Sequence, residues 1–249
     1  MATNSSIFLT EETTQPVRIR QLFQHLELFS EGEPPRHALF VLGRPNLADA
    51  LSEPGAGDQL LVIDPPARAT ERFRLEGQVA ALYTGPTPQE PALPLVQTQA
   101  GGVAHIRVGE HFLDIHSQQH HTVVHLPALG ILCGGDFGSD VIPPILAPGS
   151  TGDDELATLR LLARLVKGHR LQIYVPRTGD LGTDKFQVMQ RLAADVAYLH
   201  GLRRVVPAAV SRGEDPGAIQ ALAATLLPTS WQTPQGQQVH ARNVDNFLS

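Results

Sequence analysis

Along the first half of the chain, short apolar runs alternate with turn signals, and each run is too short for a helix. His37–Leu42, Gln59–Ile63 and Val79–Tyr83 are aliphatic or β-branched and mostly bounded by Gly, Pro or Asp, the pattern of strands. Four more predicted strands follow at hairpin spacing: Ala104–Val108, Phe112–His116, Thr122–Leu126 and Ile131–Cys133. Ala128–Gly130 is the tight connection between the last two. Asn46–Leu51 reads as a short helix or an insert, and Glu53–Asp58 as a loop.

After Pro148 the apolar period lengthens from two residues to 3.6. Leu156, Leu159, Ala163 and Val166 share one face of a predicted helix. Ser150 or Thr151 is its expected N-cap, Asp153, Asp154 and Glu155 sit where the helix dipole favours acids, and Gly168 ends it. A strand over Leu171–Val175 stops at Pro176. Met189, Leu192, Val196 and Leu199 line a second helix, expected to be capped by Thr183 and closed near Gly201. A third starts at Asp215-Pro216, a cap followed by proline at the first helical position, and runs to about Leu226; Gln238–Leu248 reads as a short terminal helix. Strands dominate 37–133 and helices 150–249, with one strand returning among the helices and no linker dividing them. The pattern predicts a single domain over 1–249, α+β or mixed α/β, with residues 1–20 as a loosely ordered extension.

Composition narrows the chemistry. At 249 residues and 42% apolar, the chain can build a core without disulfides or a structural metal. Cys133 is the only cysteine, which excludes an intramolecular disulfide, an all-cysteine zinc ribbon and a cysteine-held iron–sulfur cluster. Nineteen Lys and Arg against twenty-five Asp and Glu leave no basic excess to displace counterions, so no nucleic-acid partner is expected. No window approaches ~18 consecutive apolar residues, and Met1–Pro16 is polar; neither a membrane span nor a secretory leader is expected, and a cytoplasmic location is.

The histidines carry the candidate chemistry. Five of the eleven, His111, His116, His120, His121 and His125, fall on one predicted strand, a short connection and most of the next strand. Strand ends are rigid places from which imidazoles converge, and neutral imidazole is a common ligand for zinc and iron. His111 and His125 read as residues that fill a half-buried strand face; the adjacent pair His120 and His121 in a turn is the stronger candidate for metal. Shortly downstream, Ile131–Asp136 places a carboxylate after two glycines, where other groups or an ion approach the backbone closely; a turn aspartate capping its own backbone is the alternative. No Gly-x-Ser-x-Gly elbow accompanies Ser117 or Ser139, and no phosphate-cradling loop follows the glycine pairs at 101–102 and 134–135.

Taken together, Val108–Asp136 resembles the central stretch of the metallo-β-lactamase superfamily, where a strand leads to a Pro-Gly-His-Thr turn and a later strand ends in Gly-Asp. Leu61–Pro66 resembles that family's early strand ending in Ile-Asp-x-Gly, Val175–Asp180 its Val-Pro-Gly-His-Gly segment, and Ala197–Leu202 and Val239–Val244 its later helix and closing residues. The resemblance covers 37–249 and implies a four-layer αββα sandwich with a metal site at the edges of its sheets. The departures fall on the ligands. Where the family carries Thr-His-x-His-x-Asp-His, this chain reads Thr84–Glu90, with Gly85, Thr87, Gln89 and Glu90 at the ligand positions. The histidine of Val-Pro-Gly-His-Gly is Thr178 here, and the Pro-Gly-His-Thr turn has become Gln118–Thr122.

What the resemblance leaves as metal ligands is His120, His121 and Asp136, with Glu90, His116, Thr178 and His240 as further groove residues. Since catalytic zinc takes three protein ligands and an open position for water, this set implies either no cofactor or one weakly held divalent ion, zinc, iron or manganese. The implied function is a hydrolase-like protein with a largely degraded metal site, at most a single-metal hydrolase that activates water. The alternative is a non-catalytic relative that binds a small molecule or a protein partner in the same groove. A homodimer is also open, and no catalytic residue is assigned.

Overall fold

The computed structural model describes residues 17–43, 59–66, 78–86, 91, 93–96 and 98–248. They fall into two compact units. Residues up to Tyr83, with Thr87–Gln97 and His105–Leu113, belong to the first; Thr84–Pro86, Thr98–Ala104 and Asp114 onward belong to the second.

The first unit is built on a five-stranded sheet in sequential order: β1 (Val17–Phe23), β2 (Leu26–Glu31), β3 (Arg36–Gly43), β4 (Gln59–Ile63) and β5 (Gln78–Leu82). Neighbours from β1 to β4 are antiparallel, and β4 pairs parallel with β5 from Gln59↔Gln78 to Ile63↔Leu82. His37–Val41 and Leu60–Ile63 are buried without interruption, so both faces of the central strands are covered and the sequence shows unbroken apolar runs. Phe29, Ala38, Phe40, Leu60, Val62, Ala81 and Leu93 form one core face, with the Phe29 and Phe40 rings edge-on at 6.3 Å.

β1 and β2 were not among the expected strands. Val17–Arg20 alternates apolar and polar residues, but Gln21 breaks the alternation, and four of the seven β1 residues are exposed, two of them arginines; pairing with β2 completes the strand. Its first residues, Val17–Arg20, lie inside the stretch expected to be a loose extension. The other expectations for 1–16, 46–51 and 53–58 lie outside the described residues.

The second sheet has the order β10-β9-β8-β7-β6: β6 (Val103–Val108), β7 (His111–Ser117), β8 (Thr122–Leu126), β9 (Ile131–Gly135) and β10 (Ile173–Pro176). β7, β8 and β9 pair antiparallel, and β10 returns parallel to β9. Four helices follow β9 in the chain: α1 (Asp153–Gly168), α2 (Lys185–Ser211), α3 (Pro216–Ala224) and α4 (Pro234–Asp245). Their apolar faces, including Leu159, Leu162, Leu192, Leu199 and Leu202, share one core with Val123 of β8, Leu132 of β9, Tyr174 of β10 and Trp231.

Several helix ends differ from expectation, and α4 runs from Pro234 to Asp245 where Gln238–Leu248 was expected. No side chain caps α1, which starts after Gly152 at φ 90°, because the Ser150 hydroxyl donates to Glu155 instead. Asp184, not Thr183, caps α2, accepting the Gln187 N–H at 2.8 Å. α2 also runs through Gly201 to Ser211: that glycine is there for packing, since a Cβ would stand 2.9 Å from the Leu226 side chain. The Asp215 cap of α3 is as predicted, accepting the Ala218 N–H at 3.0 Å.

Candidate functional site

The turn that ends β9 carries Asp136, and two buried side chains fix its course. The Tyr174 hydroxyl donates to the Phe137 carbonyl at 2.8 Å, and the Gly138 N–H donates to the Asp195 carboxyl at 2.6 Å. Only glycine fits around Tyr174: a Cβ at Gly134 would overlap its hydroxyl, and one at Gly138 would approach within 2.8 Å. Asp195 is fully buried, and burial pushes its pKa well above the usual carboxylate range, against the pull of the Gly138 N–H.

Asp136, held this way, has a side chain only 1% exposed, and its partner is the guanidinium of Arg177, which binds Oδ1. Arg177 arrives through the parallel strand. The Arg177 N–H donates to the Gly135 carbonyl at 2.7 Å, just past the point where the β9–β10 register shifts between Val175 and Pro176. Gly85 lies against the pair: a Cβ there would overlap Asp136 Oδ2 and come within 2.9 Å of Arg177. The Thr84 carbonyl beside it accepts the Thr122 N–H at 2.8 Å. The start of the segment that bears the ligands in the resembled motif is therefore laid over an ion pair.

His121 has a different partner. Its Nε2 lies 3.2 Å from Glu155 Oε1, with both side chains fully buried. Burial alone would raise the Glu155 pKa, but bonds from His121, the Ser150 hydroxyl and the Ala147 N–H outweigh it and bring it to about 2. The carboxyl is ionised at neutral pH, so Nε2 carries the proton in this contact. The ring packs edge-on against Phe137 at 4.9 Å, which makes Phe137 the link between His121 and Asp136. His120 is exposed, and its own N–H and that of Gln119 donate to Asp154 at 2.9 and 3.0 Å. The first turn of α1 thus grips the whole hairpin, through Asp154 on the backbone and Glu155 on the imidazole.

The remaining expected residues are spread more widely. His116 is half-buried on β7 opposite Val123, and Thr178 is buried beyond β10. His240 belongs to α4, where its Nδ1 meets the Tyr198 hydroxyl at 2.9 Å in a network with Asn243. Of the two strand histidines expected to fill faces, His111 is buried with Nε2 3.0 Å from the Gln24 carbonyl, and His125 is buried on β8. Glu90 lies outside the described residues.

A divalent ion needs several convergent lone pairs. Among the described residues no three His, Cys, Asp or Glu side chains form a group able to hold one. One oxygen of Asp136 is taken by a guanidinium and one nitrogen of His121 by a carboxylate. Asp136 Oδ2 and His121 Nδ1 are buried without a hydrogen bond, but a fixed positive charge on the same carboxylate opposes a second cation. The described donor set does not fit a resident metal.

Sequence reasoning did not single out Arg177 or Glu155 as site residues. Arg177 had a signal, a long charged side chain where the resembled segment has glycine. Glu155 had none, since an acid in the first turn of a helix is already explained by the dipole.

No family model matches the sequence, and no curated protein matches it. Solved structures do match in fold. A β-lactamase domain protein from Burkholderia ambifaria aligns at 10% identity and TM-score 0.56, over 92% of this chain and 86% of its own. The stereoselective inverting sec-alkylsulfatase Pisa1 from Pseudomonas sp. aligns at 9% identity and TM-score 0.57, over 93% of this chain and 49% of its own. A metallo-β-lactamase from Pontibacter korlensis aligns at 14% identity and TM-score 0.44, over 72% of this chain and 99% of its own. The chain has an α+β fold of the metallo-β-lactamase type, as its sequence led us to expect.

Proposed function

We propose that this protein is a metal-independent, non-hydrolytic relative within the metallo-β-lactamase fold, which uses its site to bind a small molecule or a protein partner. The observation that carries this reading is the Arg177 guanidinium on Asp136. Water activation in such a fold depends on a cation that lowers the pKa of bound water. A guanidinium supplies the positive charge but has no vacant coordination position, so it neutralises Asp136 without binding water as a Lewis acid. The Glu155–His121 pair acts in the same direction, because the nitrogen facing Glu155 is occupied as a donor. The scaffold is then left with recognition, and fold alone names no ligand.

The competing reading, a single ion held weakly by His120, His121 and Asp136, draws on the two buried atoms without hydrogen bonds, His121 Nδ1 and Asp136 Oδ2. Elemental analysis of protein purified without chelator separates the two. Metal-independent binding predicts well under one zinc, iron or manganese per chain, and a melting temperature that neither added zinc nor a chelator moves. Near-stoichiometric metal that disappears in His121→Ala or Asp136→Asn would establish the hydrolase-like reading instead. Native mass spectrometry of the same sample then looks for a retained small molecule or protein, whose release in Arg177→Ala is the expected result.

A further inference from the structure

Helix α1 is joined to β8 and the turn before it by a histidine contact at each end. At its start, Glu155 holds His121. At its finish, His169, the residue that caps α1 and whose N–H donates to the Leu165 carbonyl at 3.0 Å, lays its ring against His125 of β8. The two rings are 4.7 Å apart between centroids and inclined at 62°. Three residues of strand separate His121 from His125, and thirteen residues of helix separate Glu155 from His169.

The two contacts differ in charge. The first pairs an imidazole N–H with an ionised carboxylate. The second pairs two imidazoles, one of them buried: the His125 side chain is 3% exposed, whereas His169 is exposed. The titratable groups facing His125 are His169 from the end of α1 and Asp114 and His116 from β7, with Asp114 Oδ2 4.0 Å from Nδ1; its β9 partner, Leu132, is apolar. Lys167 and Arg170 flank His169 in the chain.

We propose that the His125–His169 contact is an acid-released latch: it holds the last turn of α1 against β8 while His125 is neutral, and opens when His125 takes up a proton, while the Glu155–His121 end stays fastened. In the closed contact a proton on His125 would be a charge held out of water. Burial, His169 and His116 depress the His125 pKa and Asp114 only partly restores it, so the closed form is the one with His125 neutral. Opening frees His125 to reach solvent.

Hydrogen exchange on the full chain at pH 7.5 and 5.5, corrected for the intrinsic rate, tests the latch. Amides from about 164 to 171 should lose protection severalfold at the lower pH relative to amides 155–161 in the same helix. In His169→Gln, an exposed substitution not expected to disturb folding, that pH dependence should shrink, and in His125→Gln it should vanish if that variant folds. Equal change at both helix ends, no change at either, or a pH dependence unaltered in His169→Gln overturns the proposal. A histidine NMR titration adds a second readout: His125 should begin to protonate only as the 164–171 amides open, and a His125 that titrates with those amides still protected also overturns it.

Discussion

Arg177 determines what Asp136 can do. A carboxylate 1% exposed is tolerable only when its charge is answered, and the guanidinium that answers it sits 16% exposed at the rim. Arg177→Met should therefore leave a buried uncompensated charge and cost about 3–5 kcal/mol in urea denaturation. Adding Asp136→Asn to that variant should recover much of the loss, because a neutral amide carries a far smaller desolvation cost. A loss under about 1 kcal/mol for Arg177→Met would mean that solvent, not Arg177, compensates Asp136. Close approach at the glycines before Asp136 was legible in the sequence; the structure shows that it is Tyr174 that approaches Gly134 and Gly138, and the Asp136–Arg177 pair that approaches Gly85. Asp136 itself stood out because a strand ending in Gly-Gly-Asp is a local pattern. Arg177 was not legible as its partner, since a salt bridge between distant segments depends on strand register.

Helix α1 shows how an element can be predicted and its purpose missed. The 3.6-residue period placed it within a few residues, since Leu156, Leu159 and Val166 do face the core. Its acidic first turn was legible as dipole complement, yet Asp154 and Glu155 are also the clamps on the β7–β8 turn. Glu155 makes this measurable. Its folded pKa of about 2 lies below the ordinary 4.5, so its stabilising effect is present above pH 4.5 and lost as pH falls toward 2. The effect is worth about 3 kcal/mol. Glu155→Gln should be less stable at pH 7 by an amount of that order, and the difference from wild type should shrink between pH 4.5 and 2; a constant difference would show that Glu155 acts by packing alone. The strands in this unit were read almost to the residue, because β7, β8 and β9 are short apolar runs closed by turns. Strand β1 was not, because its alternation runs only over Val17–Arg20 before Gln21 breaks it.

The pH response of the whole molecule combines groups from several elements. Burial lowers the pKa of His125 on β8 and of His240 on α4 below the ordinary 6.5. The unfolded chain then binds protons more readily than the folded one, so stability is complete above pH 6.5 and falls as the pH drops from there toward the folded pKa values. Urea midpoints should decline between pH 7.5 and 5.5, and by less in His240→Gln; a flat profile in the wild type would mean that these rings protonate freely in place. No described helix is long and apolar enough to cross a membrane, and the free cysteine, Cys133, is buried, so the described fold rests on packing, hydrogen bonds and ion pairs. Periodicity, turn residues and short motifs are local, so the sequence alone carried the order and type of most elements and the likeness to the metallo-β-lactamase fold. The partners of Asp136 and His121 came only with the folded chain. Arg177 reaches Asp136, and Glu155 reaches His121, only after β10 has aligned on β9 and α1 has docked on β8, and ion pairing depends on distances that no local pattern encodes.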